Sequence, residues 1–145
     1  MKKTFSILLT LFFGISSFAQ LSSEEVQISF YSKMDDITAK NTTVSSTLDQ
    51  GTGEITFEVS IDAFEFANKT MQKHFNQEGV MNSAEFPIAK FEGKILNHSD
   101  VDYTSDGTYP VKVSGKMTIK GETKDFVAEG EIIIKDRILY TTSNF

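Results

Sequence analysis

Apolar and polar residues alternate along most of the chain, and this alternation constrains the fold more than any other feature. Ile55, Phe57 and Val59 are separated by polar or charged residues. The same period of two recurs over residues 26–31, 90–95, 111–120 and 126–135. Successive side chains of a β-strand point to opposite faces, so each segment predicts a strand with one apolar and one solvated face. Such strands are typical of antiparallel sheets that form sandwiches or barrels.

Two less regular segments complete a set of about seven predicted strands. A Thr- and Ser-rich strand is predicted over residues 37–48, and a last strand over residues 138–145. Glycine-containing turns are predicted at residues 49–53 and 120–122. Because these links are short, consecutive strands should be neighbours in a meander.

The alternation stops between residues 66 and 87, where the spacing predicts one helix. Met71 and Phe75 lie four residues apart, which places them on one helical face. Asn68 is a residue type favoured at a helix N-cap. We therefore expect a helix over about residues 68–78 that lies across one end of the barrel and buries both apolar side chains.

Residues 1–19 have the pattern of a cleavable secretory signal peptide. Two lysines precede an apolar run over residues 5–13, and Ser17 and Ala19 supply small residues before a cleavage point at Gln20. The run is shorter than the roughly 20 residues that cross a bilayer. Residues 20–145 are then expected to form one β-barrel domain in the periplasm or in the medium around the cell.

Charge and residue types exclude several classes of function. The 145 residues carry a formal charge of −6, and signal cleavage removes two lysines to leave −8. An acidic chain without a basic block is unsuited to nucleic acid, and no stable membrane insertion is expected after cleavage. The chain has no cysteine, and His74 and His98 lack metal-ligand spacing. No catalytic residue, metal or cofactor is predicted, so the protein is not expected to be an enzyme.

Three glycines on the apolar faces of different strands, Gly93, Gly115 and Gly130, leave two interpretations open. The missing side-chain volume could leave a cavity inside the barrel for an elongated apolar ligand. Glycine also relieves strand curvature or forms a bulge, in which case the interior can be packed.

Ordered motifs along the chain resemble the YceI-like family of secreted lipid-binding proteins. They are residues 57–61, 64–66, 71–76, 87–95 and 113–124. The resemblance extends over about residues 26–145. The amino-acid sequences of residues 71–76 and 87–95 are most similar to the branch of the family found in Bacteroidetes. Two features depart from the family. Lys120 and Glu122 stand where His and Val are usual, and the family continues with at least one more strand.

The resemblance implies a lipocalin-like antiparallel β-barrel with a helix over one end and no catalytic step. It implies an apolar pocket that holds a polyisoprenoid chain, an isoprenoid quinone or a similar amphiphile. The family barrel has eight strands, so the count of about seven leaves its closure and the oligomeric state open.

The predicted site combines an apolar lining with a few cations. The lining is expected to comprise Phe57, Val59, Ile61, Phe64, Phe66, Met71, Phe75, Phe91, Ile95, Val113, Met117, Phe126 and Ile132. Candidate head-group contacts are Lys69, Lys73 and Lys120. Two alternatives remain: a solid-core structural or stress-related interaction barrel without a ligand, and an enzyme with a scattered carboxylate site.

Overall fold

Two antiparallel sheets and one helix make up the part of the chain that the structure describes. A computed structural model describes the backbone of residues 20–22, 28–32 and 37–143, and side chains over residues 38–143. The predicted signal peptide lies outside these residues. The strands are β1 (Gln20–Ser22), β2 (Ile28–Ser32), β3 (Ile37–Asn41), β4 (Val44–Asp49), β5 (Glu54–Ser60), β6 (Glu65–Phe66), β7 (Ile88–Ile95), β8 (Gly107–Ile119), β9 (Glu122–Lys135) and β10 (Ile138–Ser143).

The larger sheet is curled and has the strand order β1-β4-β5-β7-β8-β9-β10. From β4 onward it is a meander, interrupted only where the chain leaves to form β6 and the helix. The smaller sheet has the order β2-β3-β6. This architecture confirms the predicted lipocalin-like antiparallel β-barrel fold.

The prediction of one continuous strand over residues 37–48 is wrong, because the chain changes sheets at Asn41. This side chain is fully buried. Its Nδ2 donates to the carbonyl oxygen of Ser60 at 2.7 Å, and its Oδ1 accepts from the backbone N–H and the hydroxyl of Thr43, both at 2.9 Å. These bonds satisfy backbone groups at the corner between β3 and β4, where strand pairing stops.

The predicted turns are confirmed. Lys120 and Gly121, between β8 and β9, have φ angles of 49° and 74°, as a tight two-residue hairpin requires. Gly53 has a φ of 76° and donates its N–H to the carbonyl oxygen of Asp49 at 2.8 Å. Short turns of this kind place consecutive strands side by side and so produce the meander.

Helix α1 (Lys69–Asn76) lies within the predicted range and begins at the predicted cap. Asn68 Oδ1 accepts from the backbone N–H of Thr70 at 2.9 Å. Phe75 packs its ring against Phe64 and Phe66, with centroids 5.6 and 5.0 Å apart. The helix is therefore held against β6 and the residues before it by aromatic contacts. The prediction that it buries Met71 and Phe75 is wrong, because both side chains are only half-buried where they pack against the neighbouring apolar cluster.

Two clusters of buried apolar side chains fill the two ends of the curled sheet. The helix-end cluster consists of Ala39, Val44, Val59, Ile61, Phe64, Phe66 and Ala89. The distal cluster consists of Leu48, Ile55, Phe91, Ile95, Val101, Val111, Ile132 and Ile134. Phe57 is partly buried and packs against both.

Candidate functional site

The inward glycines mark places where backbones approach closely, rather than empty space. Gly93 and Gly115 face each other across β7 and β8. A Cβ atom on Gly93 would lie 2.4 Å from Cζ of Phe91, and one on Gly115 would lie 2.2 Å from the carbonyl oxygen of Glu92. The Phe91 ring thus covers both glycines. The structure supports the interpretation that these glycines permit curvature and close packing.

An open region is present on the inner face of the β8–β9 hairpin, near its turn. It is a depression of about 440 Å³, here called the hairpin hollow. Its walls are Met117, Ile119, Glu122, Lys124, Asp125 and Phe126. In the strand register Met117 faces Lys124 and Ile119 faces Glu122. One face of the hairpin therefore offers apolar side chains with a charged pair beside them.

The segment after α1 closes over the turn next to the hollow. Lys120 Nζ donates to the carbonyl oxygen of Glu78 at 3.0 Å. The ring of Phe86 lies so close to Gly121 that a Cβ there would be 2.8 Å from it. These contacts join the end of the hairpin to the helical segment and place the hollow at the helix end of the sheet.

The charged groups of the hollow form two separate pairs. Lys124 Nζ lies 3.6 Å from Glu122 Oε2, with both side chains largely exposed. Asp125 Oδ1 accepts a hydrogen bond from Lys116 Nζ at 2.8 Å, and this bond holds the pKa of Asp125 below its ordinary value. The Asp125 charge is thus compensated by Lys116, while Lys124 and Glu122 are loosely joined and free to meet a ligand.

The predicted lining residues are divided among the hollow and the two clusters. Met117 and Phe126 line the hollow. The distal cluster contains Phe91, Ile95 and Ile132, and Val113 packs against it. The helix-end cluster contains Val59, Ile61, Phe64 and Phe66, and Met71 and Phe75 pack against it. Phe57 packs against both clusters. Ile95 and Ile132 are each only 1% exposed, so a ligand would have to displace packed core to reach them. Their roles in binding stay predictions.

The three lysines proposed for the head group lie outside the walls of the hollow. Lys69 Nζ donates to Gln72 Oε1 at 3.0 Å, Lys73 is exposed on α1, and Lys120 is at the adjoining turn. The other four wall residues of the hollow, Ile119, Glu122, Lys124 and Asp125, were absent from the predicted site. The alternation of β9, extended back from Phe126 toward the turn, would have placed Glu122 and Lys124 on the inner face.

Two further observations concern metals and membranes. Over the residues whose positions are described, no three His, Asp or Glu side chains are grouped so that they could hold a metal ion. Within the same part of the chain, no helix has the length and apolar character needed to cross a bilayer.

Comparisons with known proteins agree with the fold. The sequence profile of the YceI-like domain matches residues 13–143. A polyisoprenoid-binding domain from Saccharophagus degradans, implicated in plant cell wall breakdown, superposes with a TM-score of 0.59 at 10% identity, covering 81% of this chain and 65% of that one. BcnA from Burkholderia cenocepacia gives a TM-score of 0.59 at 16% identity, covering 79% and 69%.

This chain thus spans somewhat less than two thirds of the first of these structures. No curated protein matches the sequence. The profile match extends over nearly the whole chain, and both solved structures share the curled antiparallel sheet. The protein therefore belongs to the YceI-like domain family.

Proposed function

We propose that this protein is a non-catalytic binding protein that holds an isoprenoid-type lipid, such as a polyisoprenoid, an isoprenoid quinone or a similar amphiphile. The hairpin hollow carries the proposal, because Met117, Ile119 and Phe126 present apolar surface on the inner face of the sheet. Its volume of about 440 Å³ is within the range of small-molecule sites, ~300–1,000 Å³. The Saccharophagus degradans neighbour, described as polyisoprenoid-binding, supports the ligand class.

Affinity would come from removing the lipid chain and the wall of the hollow from water. Burial contributes about 25 cal/mol per Å² of apolar surface, less the cost of ordering the chain. We also propose that the protein works in the periplasm or outside the cell, on the strength of the signal-peptide pattern in residues 1–19.

One observation favours the competing proposal of a solid interaction barrel without a ligand. Most of the predicted lining is already packed into the helix-end and distal clusters, and the Phe91 ring closes over Gly93. A barrel of this kind keeps the same fold and exposes the hollow only as a shallow surface feature.

Native mass spectrometry of the mature protein, purified from its natural compartment, separates the two proposals. An isoprenoid lipid recovered at about one per chain after organic extraction would support the binding protein. A folded protein with the mass of the bare chain would favour the solid barrel.

A pair of matched substitutions tests the position of the site. Ile119 is 41% exposed and lines the hollow, whereas Val127 is 55% exposed and lies outside its walls on the same hairpin. Because both are exposed, Ile119→Asp and Val127→Asp should both fold. Ile119→Asp is expected to abolish binding of a C20 prenyl alcohol, and Val127→Asp to leave it unchanged. Equal affinities in the two variants would place the ligand elsewhere.

A further inference from the structure

We propose that the hairpin hollow selects a lipid whose head group is uncharged but both donates and accepts hydrogen bonds, in preference to an anionic or cationic head group. This inference rests on the proposed binding function and specifies the ligand of the same site. It is drawn from the pairing of Lys124 with Glu122 beside the apolar wall.

The strand geometry places the two charges on the ligand-facing side. Lys124 and Glu122 are two residues apart in β9 and therefore point to the same face, as does Phe126. Across the hairpin they stand opposite Met117 and Ile119. A chain that lies on these apolar side chains would have its polar end next to both charges.

The two partners offer opposite hydrogen-bonding roles. The Lys124 ammonium is a donor and the Glu122 carboxylate is an acceptor, and 3.6 Å separates Nζ from Oε2. A hydroxyl or a primary amide can accept from Lys124 and donate to Glu122, so both charges keep a partner. An anionic head group would be attracted by Lys124 but repelled by Glu122, and a cationic head group would meet the reverse.

Two other charged groups near the pair have hydrogen-bond partners of their own. Asp125 is hydrogen-bonded to Lys116, and the Lys120 ammonium is bound to the carbonyl oxygen of Glu78. The formal charge of the whole chain, −6, adds weak long-range repulsion of anions.

The test measures displacement of the uncharged dye N-phenyl-1-naphthylamine by a C20 prenyl alcohol, its monophosphate and its primary amine. The wild-type protein should bind the alcohol most tightly. Glu122→Gln should shift the phosphate-to-alcohol affinity ratio toward phosphate by about five-fold, and Lys124→Gln should shift the amine-to-alcohol ratio toward amine by a similar factor, as expected for an exposed charge pair. Lys135→Gln is the matched control and should leave the ratios unchanged, because it removes the same charge from an exposed position at the other end of β9, away from the hollow.

The outcomes distinguish the inference from the function beneath it. If all three lipids bind but neither Glu122→Gln nor Lys124→Gln changes the ratios, head-group selection by this pair is refuted and the binding function stands. An equal shift in the Lys135→Gln control would show a general charge effect and also refute the selection. If no lipid displaces the dye from folded protein, the proposed function fails and the inference fails with it.

Discussion

Replacing Gly115 with alanine tests whether the inward glycines permit close packing of the strands. The added Cβ would lie 2.2 Å from the carbonyl oxygen of Glu92 and 2.5 Å from Cα of Gly93, whereas ordinary contacts begin at 3.4 Å. Both obstructing atoms belong to the backbone of β7, so no side-chain rotation can relieve the overlap. Strands β7 and β8 would have to move apart by roughly 1 Å, which lengthens neighbouring ladder hydrogen bonds beyond their usual ~3.2 Å.

The free energy of unfolding should therefore fall by about 3 kcal/mol. Overpacking contributes ~1–3 kcal/mol, and each weakened hydrogen bond adds about 1 kcal/mol. For a domain of this size, the loss corresponds to a decrease in Tm of about 12 °C.

Thermal unfolding followed by circular dichroism measures this change, with Gly79→Ala as the control. No atom lies within 4 Å of a Cβ built on Gly79, so that variant should stay within about 0.5 kcal/mol of the wild type. Equal Tm values for the two variants would refute the close-packing argument and reopen the interpretation that these glycines leave a cavity.

Three other substitutions test the corner between β3 and β4, the N-cap of α1, and the dependence of stability on acidic pH. Asn41→Ala leaves buried backbone groups without their hydrogen bonds and should lower the free energy of urea unfolding by about 2 kcal/mol. Asn68→Ala removes the α1 N-cap and should cost about 1 kcal/mol in the same measurement. Hydrogen bonds from Thr104 and Ser105 lower the pKa of Asp102, so its contribution to stability should be present above about pH 4 and disappear as the pH falls below that value. The Tm difference between wild type and Asp102→Asn should accordingly shrink between pH 7 and pH 3; a constant difference would contradict this.

Local signals in the sequence were sufficient to predict most of the strands and the helix. The alternation around Phe57 predicted β5, and Asn68 predicted the start of α1, because side-chain period and capping depend on neighbouring residues alone. The break at Asn41 was missed, because its cause is a hydrogen bond to Ser60, 19 residues away. The site was harder to predict than the fold. Of the wall residues of the hollow, Met117 and Phe126 were expected, but the charged pair was not.

The amino-acid sequence alone is enough to assign the class of fold, the apolar face of each strand and the family to which the chain belongs. These properties follow from the order of residue types along the chain. Which apolar faces are packed and which remain open depends on the tertiary structure. From the sequence, Gly93 and Gly115 were compatible with either a cavity or close packing. The structure shows close packing, because the Phe91 ring covers both glycines. Filling of space depends on side chains from several strands meeting at one point, and no single segment carries that information.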